Sequence, residues 1–141
     1  MIPSFLIKDE MKEIKYIVVH SSGSFDEKEF VNAEKIHKWH LQGKKPGIGY
    51  HLVILRSGIV EVGRPLYWVG DHTKQVNHCS WGICLVGNRQ YTEAQMASLR
   101  KTLNDLKLIA PNAEIKGNYY FKGVLNQIGF NVEEWWRGVW K

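Results

Sequence analysis

The runs Tyr16-Ile17-Val18-Val19 and Ile83-Cys84-Leu85-Val86 are apolar at every consecutive position. A strand with one wet face alternates apolar and polar residues, so an unbroken run predicts a strand covered on both sides. A sheet with material packed on each face follows, and 141 residues at 44% hydrophobic composition are enough for one such core. The first strand is placed at residues 15–20. A polar loop leads to a helix at 32–41, on which Ile36, Trp39 and His40 fall near one side, with Val31 just before it and Gly43 as the stop. Residues 50–56 and 59–62, joined at Ser57-Gly58, read as a hairpin. Residues 82–87 form the other buried strand. Thr92-Glu93-Ala94-Gln95 opens a long helix as a capping box, with Met96, Leu99, Leu103 and Leu106 at helical spacing and Pro111 beyond its end. A last helix starts near Val132, and its Trp135, Trp136 and Trp140 are expected to dock it on the core rather than to form a sugar platform. Residues 110–117 and 123–129 read as extended loop. The expected architecture is a single α/β domain, with a mixed four-stranded sheet flanked by about three helices.

The charge balance sets the partner class. Nineteen basic against 14 acidic residues give +5, with the basic residues dispersed rather than striped. That suits an acidic ligand without calling for nucleic acid, and Lys44-Lys45 reads as a solvated face. The first fifteen residues lack the basic region of a secretory signal and no stretch reaches membrane-spanning length, so a cytoplasmic, non-membrane protein and a monomer are expected. Cys79 and Cys84 stand five apart in extended chain, roughly 16 Å at about 3.3 Å per residue, too far to bridge. Cys84 is expected as a small buried hydrophobe.

The histidines are unevenly placed. His20 ends the first apolar run, the others lie between it and His78, and no histidine or cysteine follows Cys84. A strand that delivers an imidazole at its last residue makes one corner of a zinc site, which needs further protein ligands.

Several segments then carry a resemblance in order and spacing. They are Ile17-Val18-Val19-His20-Ser21-Ser22, Ile36-His37-Lys38-Trp39-His40, Ile48-Gly49-Tyr50-His51, Gly63-Arg64-Pro65, Val69-Gly70-Asp71-His72, Asn77-His78-Cys79-Ser80 and Gly82-Ile83-Cys84-Leu85-Val86-Gly87. Together with Thr92 to Met96, the chain from about residue 15 to residue 136 resembles the zinc N-acetylmuramoyl-L-alanine amidases and peptidoglycan recognition proteins, nearest to the small podoviral amidase lysozymes. Residues 1–14 would be an N-terminal extension and 15–141 the amidase-like domain.

The resemblance implies a groove in which zinc polarises the amide between N-acetylmuramic acid and L-alanine. His20 matches the first zinc ligand, and Tyr50 matches a tyrosine that binds the developing charge. Arg64, His72, Lys74, Asn77 and His78 are the expected substrate-binding side chains, with loop architecture the other reading of His72 and His78. His37 and His40 read as packing and hydrogen bonding, and His51, alternating with Tyr50, as a buried histidine pointing away from the groove. The downstream half departs from the family pattern. Asn118 stands at the second ligand position, Gln127 at the third, and Leu125 where a helper lysine belongs. Neutral amide oxygens beside one imidazole suit zinc poorly. The chain is therefore expected to bind peptidoglycan fragments without cofactor and without cleavage. The alternatives are an active amidase with an unorthodox site and a phage protein that binds and inhibits RNA polymerase.

Overall fold

The computed structural model describes residues 10–11, 13–24, 30–123 and 125–138. Five strands, β1 (Tyr16–Ser21), β2 (Leu52–Ile54), β3 (Val60–Val62), β4 (Ser80–Leu85) and β5 (Glu114–Gly117), form one sheet in the order β3-β2-β4-β1-β5. The β2–β4, β4–β1 and β1–β5 pairs are parallel, and the β2–β3 hairpin is antiparallel, so the sheet is mixed as expected. The helices are α1 (Ala33–Gln42), α2 (Glu93–Ile109), the single turn α3 (Tyr119–Lys122) and α4 (Val132–Arg137). None of these is long and apolar enough to cross a membrane.

Strand alternation divides the interior. Ile17 and Val19 of β1 join Leu52, Ile54, Ile83 and Leu85 under α2, whose Leu99, Leu103 and Leu106 complete that layer. On the other face Val53, Leu55, Cys84 and Val86 pack against Ile36 of α1. His20 stands opposite Cys84 in the parallel register, so its side chain belongs to the α1 face. The capping box at Thr92 and Gln95 is present, and the buried Gln95 amide also donates to Ile54 O and Val86 O, tying α2 to the ends of β2 and β4. Trp135 and Trp136 pack against the α2 core, and the Arg100 guanidinium lies 4.4 Å from the Trp135 ring centre, so these rings dock the last helix; Trp140 lies outside the described residues. Cys79 and Cys84 are free and buried.

The structure differs from expectation where tertiary pairing outweighs local pattern. Residues 114–117 form β5 rather than loop, because Glu114 and Lys116 are tolerable on an edge strand and Ile115 fills the α2 core. β4 begins at Ser80 and ends before Gly87, whose φ of +145° leaves the strand conformation. Glu10 pairs with Trp68, and Met11 N–H donates to Tyr67 O, so the chain already lies on the domain at residue 10.

Candidate functional site

The site is built from the backbone outward, starting where parallel strands end. β1 carries His20 to its end, and the main chain of Asn118 follows β5 alongside, its N–H donating to Val19 O at 3.0 Å. His20 is 2% exposed. Its Nε2 lies 3.0 Å from His72 Nδ1 and 3.1 Å from Thr73 Oγ1, and the latter two atoms are 2.8 Å apart. Gly82 and Gly70 make room for this arrangement, since a Cβ at either would come within 2.6 Å of the His72 ring.

The proton positions follow from the partners. Ser80 Oγ donates to Val76 O at 2.7 Å, so toward His72 Nε2 it acts as an acceptor. His72 then carries its proton on Nε2, and Nδ1 accepts from His20 Nε2–H. His20 is left with an unprotonated Nδ1. A metal-binding imidazole is supported in this way, its second nitrogen donating to a fixed partner. His51 is set by the same logic: Gly82 N–H donates to Nδ1 at 3.0 Å, so the proton sits on Nε2 and goes to Trp68 O at 2.7 Å.

Burial keeps these rings neutral. It holds His20 well below the ordinary histidine pKa, with the neighbouring His72, Lys122 and Lys45 adding to the effect. Burial likewise lowers His72 to about 3 and His51 to about 4. Tyr50 meets His20 at 5.0 Å between ring centres and His40 at 5.5 Å. Burial, reinforced by the Cys84 thiol, pushes the Tyr50 phenol up, so it stays a neutral hydroxyl.

The six candidate side chains nearest this cluster divide by what they touch. Tyr50 and His72 flank His20, as the sequence proposed. Arg64 and Asn77 were expected as donors to a ligand, but the structure spends them on main chain. Arg64 donates to Ile48 O and Val69 O at 2.8 Å, and Asn77 Oδ1 accepts from the His72 and Thr73 N–H groups at 2.8 Å. The irregular 63–79 segment has few strand partners, so its backbone polar groups are satisfied by side chains. Lys74 and His78 are exposed on that segment. His37 and His40 accept the Ile48 and Gly49 N–H groups through their Nδ1 atoms, which fixes the approach to Tyr50. His51 is buried as expected but does not point away: its ring meets His72 at 5.7 Å. Tyr50 and His51 precede β2, so strand alternation does not govern them.

The opposite wall is different. Asn118 makes no side-chain capping bond, and Gln127 and Leu125 are exposed, Leu125 at 87%. This wall is held from beneath by Glu133, which accepts from the Gly117 N–H and the Tyr119 hydroxyl. Among the described residues, no three His, Cys, Asp or Glu side chains are grouped as a metal ion would require. Thr73 is the neighbour of His20 that sequence reasoning missed, and the charges of Lys45 and Lys122 are felt at His20 as well. Thr73 follows His72 directly, but nothing in spacing shows that its hydroxyl turns to His20. A cavity of about 480 Å³ between the start of α2 and α4, walled by Tyr91, Met96, Phe130 and Trp135, shares no lining residue with this site.

The chain is similar to known proteins in sequence and fold. A family profile described as N-acetylmuramoyl-L-alanine amidase matches residues 10–123. The endolysin of Escherichia phage T7 is 34% identical over 128 residues, covering 85% of this chain and 83% of that protein. Peptidoglycan recognition protein 1 of Rattus norvegicus is 30% identical over 128 residues, covering 86% and 70%. Among solved structures, the N-acetylmuramoyl-L-alanine amidase LysC from Clostridium intestinale URNW superposes with a TM-score of 0.75 at 29% identity, covering 84% of this chain and 78% of that one.

Proposed function

The chain belongs to the N-acetylmuramoyl-L-alanine amidase family, and we propose that it recognises muramoyl-peptide fragments of peptidoglycan without zinc-assisted hydrolysis. The observation that carries this reading is the pair of neighbours at the strand ends: an imidazole on β1 supported by His72, and Asn118 after β5, bonded through its N–H to Val19 O. Zinc prefers imidazole nitrogen, thiolate and carboxylate in a tetrahedral set. His20 offers one such donor, Asn118 and Gln127 offer neutral amides, and the nearby charges of Lys45 and Lys122 disfavour a cation further. The donor set does not fit zinc. The family match also ends at residue 123, before Gln127. Ligand recognition does not require the metal, and the groove side of the site retains Tyr50 and the His72-supported His20.

An active amidase is the second reading, favoured by the preserved support of His20 and by kinship with phage endolysins. Metal analysis of the purified protein, run with an assay for release of L-alanine-bearing peptide from peptidoglycan, separates the two. Absence of stoichiometric zinc, absence of release and saturable binding of a muramoyl tripeptide that weakens in Tyr50→Ala are expected. Release of peptide overturns the non-catalytic reading. No binding at millimolar ligand overturns recognition itself and moves a protein partner, such as an RNA polymerase, to the front. Repair is a further check: Asn118→His with Gln127→Cys should bring zinc to His20, and a folded double variant that takes up none would sink the proposed correspondence.

A further inference from the structure

Away from His20, the cavity of about 480 Å³ between the start of α2 and α4 has the composition of a ligand site. Its body is apolar, formed by Tyr91, Met96, Phe130 and Trp135, and its two charged lining residues are Arg89 and Glu134. The volume lies within the range of small-molecule sites, about 300 to 1,000 Å³. The walls are held by contacts of their own. Tyr91 and Phe130 meet edge to face at 5.9 Å between ring centres, and Phe130 and Trp135 meet in the same way at 5.9 Å. The segment 126–130 is clamped to residues 89–91: the Tyr91 hydroxyl donates to Ile128 O, and Arg89 Nη1 donates to Asn126 O at 3.1 Å. Gly129, at φ +109°, lies so close that a Cβ there would stand 2.3 Å from Arg89 O. Arg89 itself has φ +68°, a left-handed conformation that side-chain-bearing residues rarely adopt, and these contacts hold it there.

Charge then selects among small molecules. Arg89 and Glu134 are exposed, and neither is ion-paired among the described residues, where Lys38–Glu34 and Lys101–Asp105 are. An uncharged apolar ligand leaves both unused, an anion alone is repelled by Glu134, and a cation alone is repelled by Arg89. A zwitterion satisfies both. We propose that this cavity binds an apolar amino acid with free amino and carboxylate groups, its side chain among Tyr91, Phe130 and Trp135, its carboxylate on Arg89 and its ammonium on Glu134. The Arg89 guanidinium has N–H donors beyond the one given to Asn126 O, so it takes a carboxylate without releasing the 126–130 segment. The cavity shares no lining residue with the His20 site, and the inference does not depend on peptidoglycan recognition there.

L-Phenylalanine carries the ring and both charges, 3-phenylpropionate lacks the amine and phenethylamine lacks the carboxylate. Titrating each into the isotope-labelled full chain, with backbone amide shifts as the readout, is the test. L-Phenylalanine should shift residues 89–91 and 129–135 saturably, leave His20, Tyr50 and His72 in place, and bind about two- to fivefold more tightly than either analogue, as expected for exposed ion pairs. Arg89→Gln should abolish the preference over phenethylamine and keep the preference over 3-phenylpropionate. Glu134→Gln should do the reverse. This crossed pattern reads the two charges separately, which a general loosening of the cavity would not reproduce. Equal binding of the three probes, a preference that survives loss of its own partner, or a folded variant that loses both preferences at once overturns the inference. So does the absence of saturable shifts at these residues with L-phenylalanine well above about a millimolar.

Discussion

On the upstream side of His20, nearly every polar group is committed to another. His20 leans on His72 and Thr73, His72 reaches Ser80, His51 joins Gly82 to Trp68, and Arg64 and Asn77 hold the loop between them. On the downstream side, Asn118 is held among the described residues by its backbone alone, and Leu125 and Gln127 are exposed. Yet that wall is firmly placed, through β5 pairing and through Glu133 beneath Gly117 and Tyr119. The fold and the site chemistry are therefore separable here. Upstream, the side chains near the site are also its scaffold, so they resist change. Downstream, the scaffold is main chain and a carboxylate below the surface, so site positions can change identity without unfolding the protein.

The comparison yields predictions of decreasing size. Acid should strike the upstream side hardest, because buried His51 must be neutral to accept from Gly82 N–H. Its folded pKa of about 4 lies below the ordinary 6.5. The unfolded chain therefore takes up the proton first, and the stabilisation, full above pH 6.5, is lost as pH falls toward 4. At about 1.4 kcal/mol per pH unit this histidine alone accounts for about 3 kcal/mol. Urea denaturation at a series of pH values reads the slope, and flat stability across that window would show that the cluster is not held neutral.

A methyl group tests the same region from beneath. Gly82→Ala puts a Cβ 2.6 Å from the His72 ring, and a loss of about 2 kcal/mol is expected, with displaced His20 and His72 ring resonances. An unchanged spectrum would mean that the His72 ring moves freely.

Downstream, Tyr119→Phe removes the hydroxyl that donates to Glu133 and accepts from Val132 N–H. About 1 kcal/mol of stability should go, with faster amide exchange in β5 and α4. A neutral outcome would place the hold on this wall elsewhere. Smallest of all is Asn118→Ala, expected to cost less than about 0.5 kcal/mol because the side chain makes no capping bond and no other hydrogen bond among the described residues. A cost above that range would make Asn118 structural, and the contrast between the two walls would collapse.

Much of the fold was legible because its signals are local. The apolar runs of β1 and β4, the Thr92–Gln95 capping box, Gly43 after α1 and the helical spacing of Leu99, Leu103 and Leu106 each carry their own physical cause within a few residues. β5 was not legible, since four residues including Glu114 and Lys116 become a strand only when β1 offers its free edge. The same division runs through the site. That His20 ends a buried strand, and that no histidine or cysteine follows Cys84, is written in the chain order. The tautomer of His20, the diversion of Arg64 and Asn77 to backbone carbonyls and N–H groups, and the turn of His51 toward His72 were decided by tertiary structure alone. Each depends on which groups distant in sequence come within hydrogen-bonding or Coulombic reach once the irregular 63–79 segment closes over the sheet, and residue order does not encode those distances.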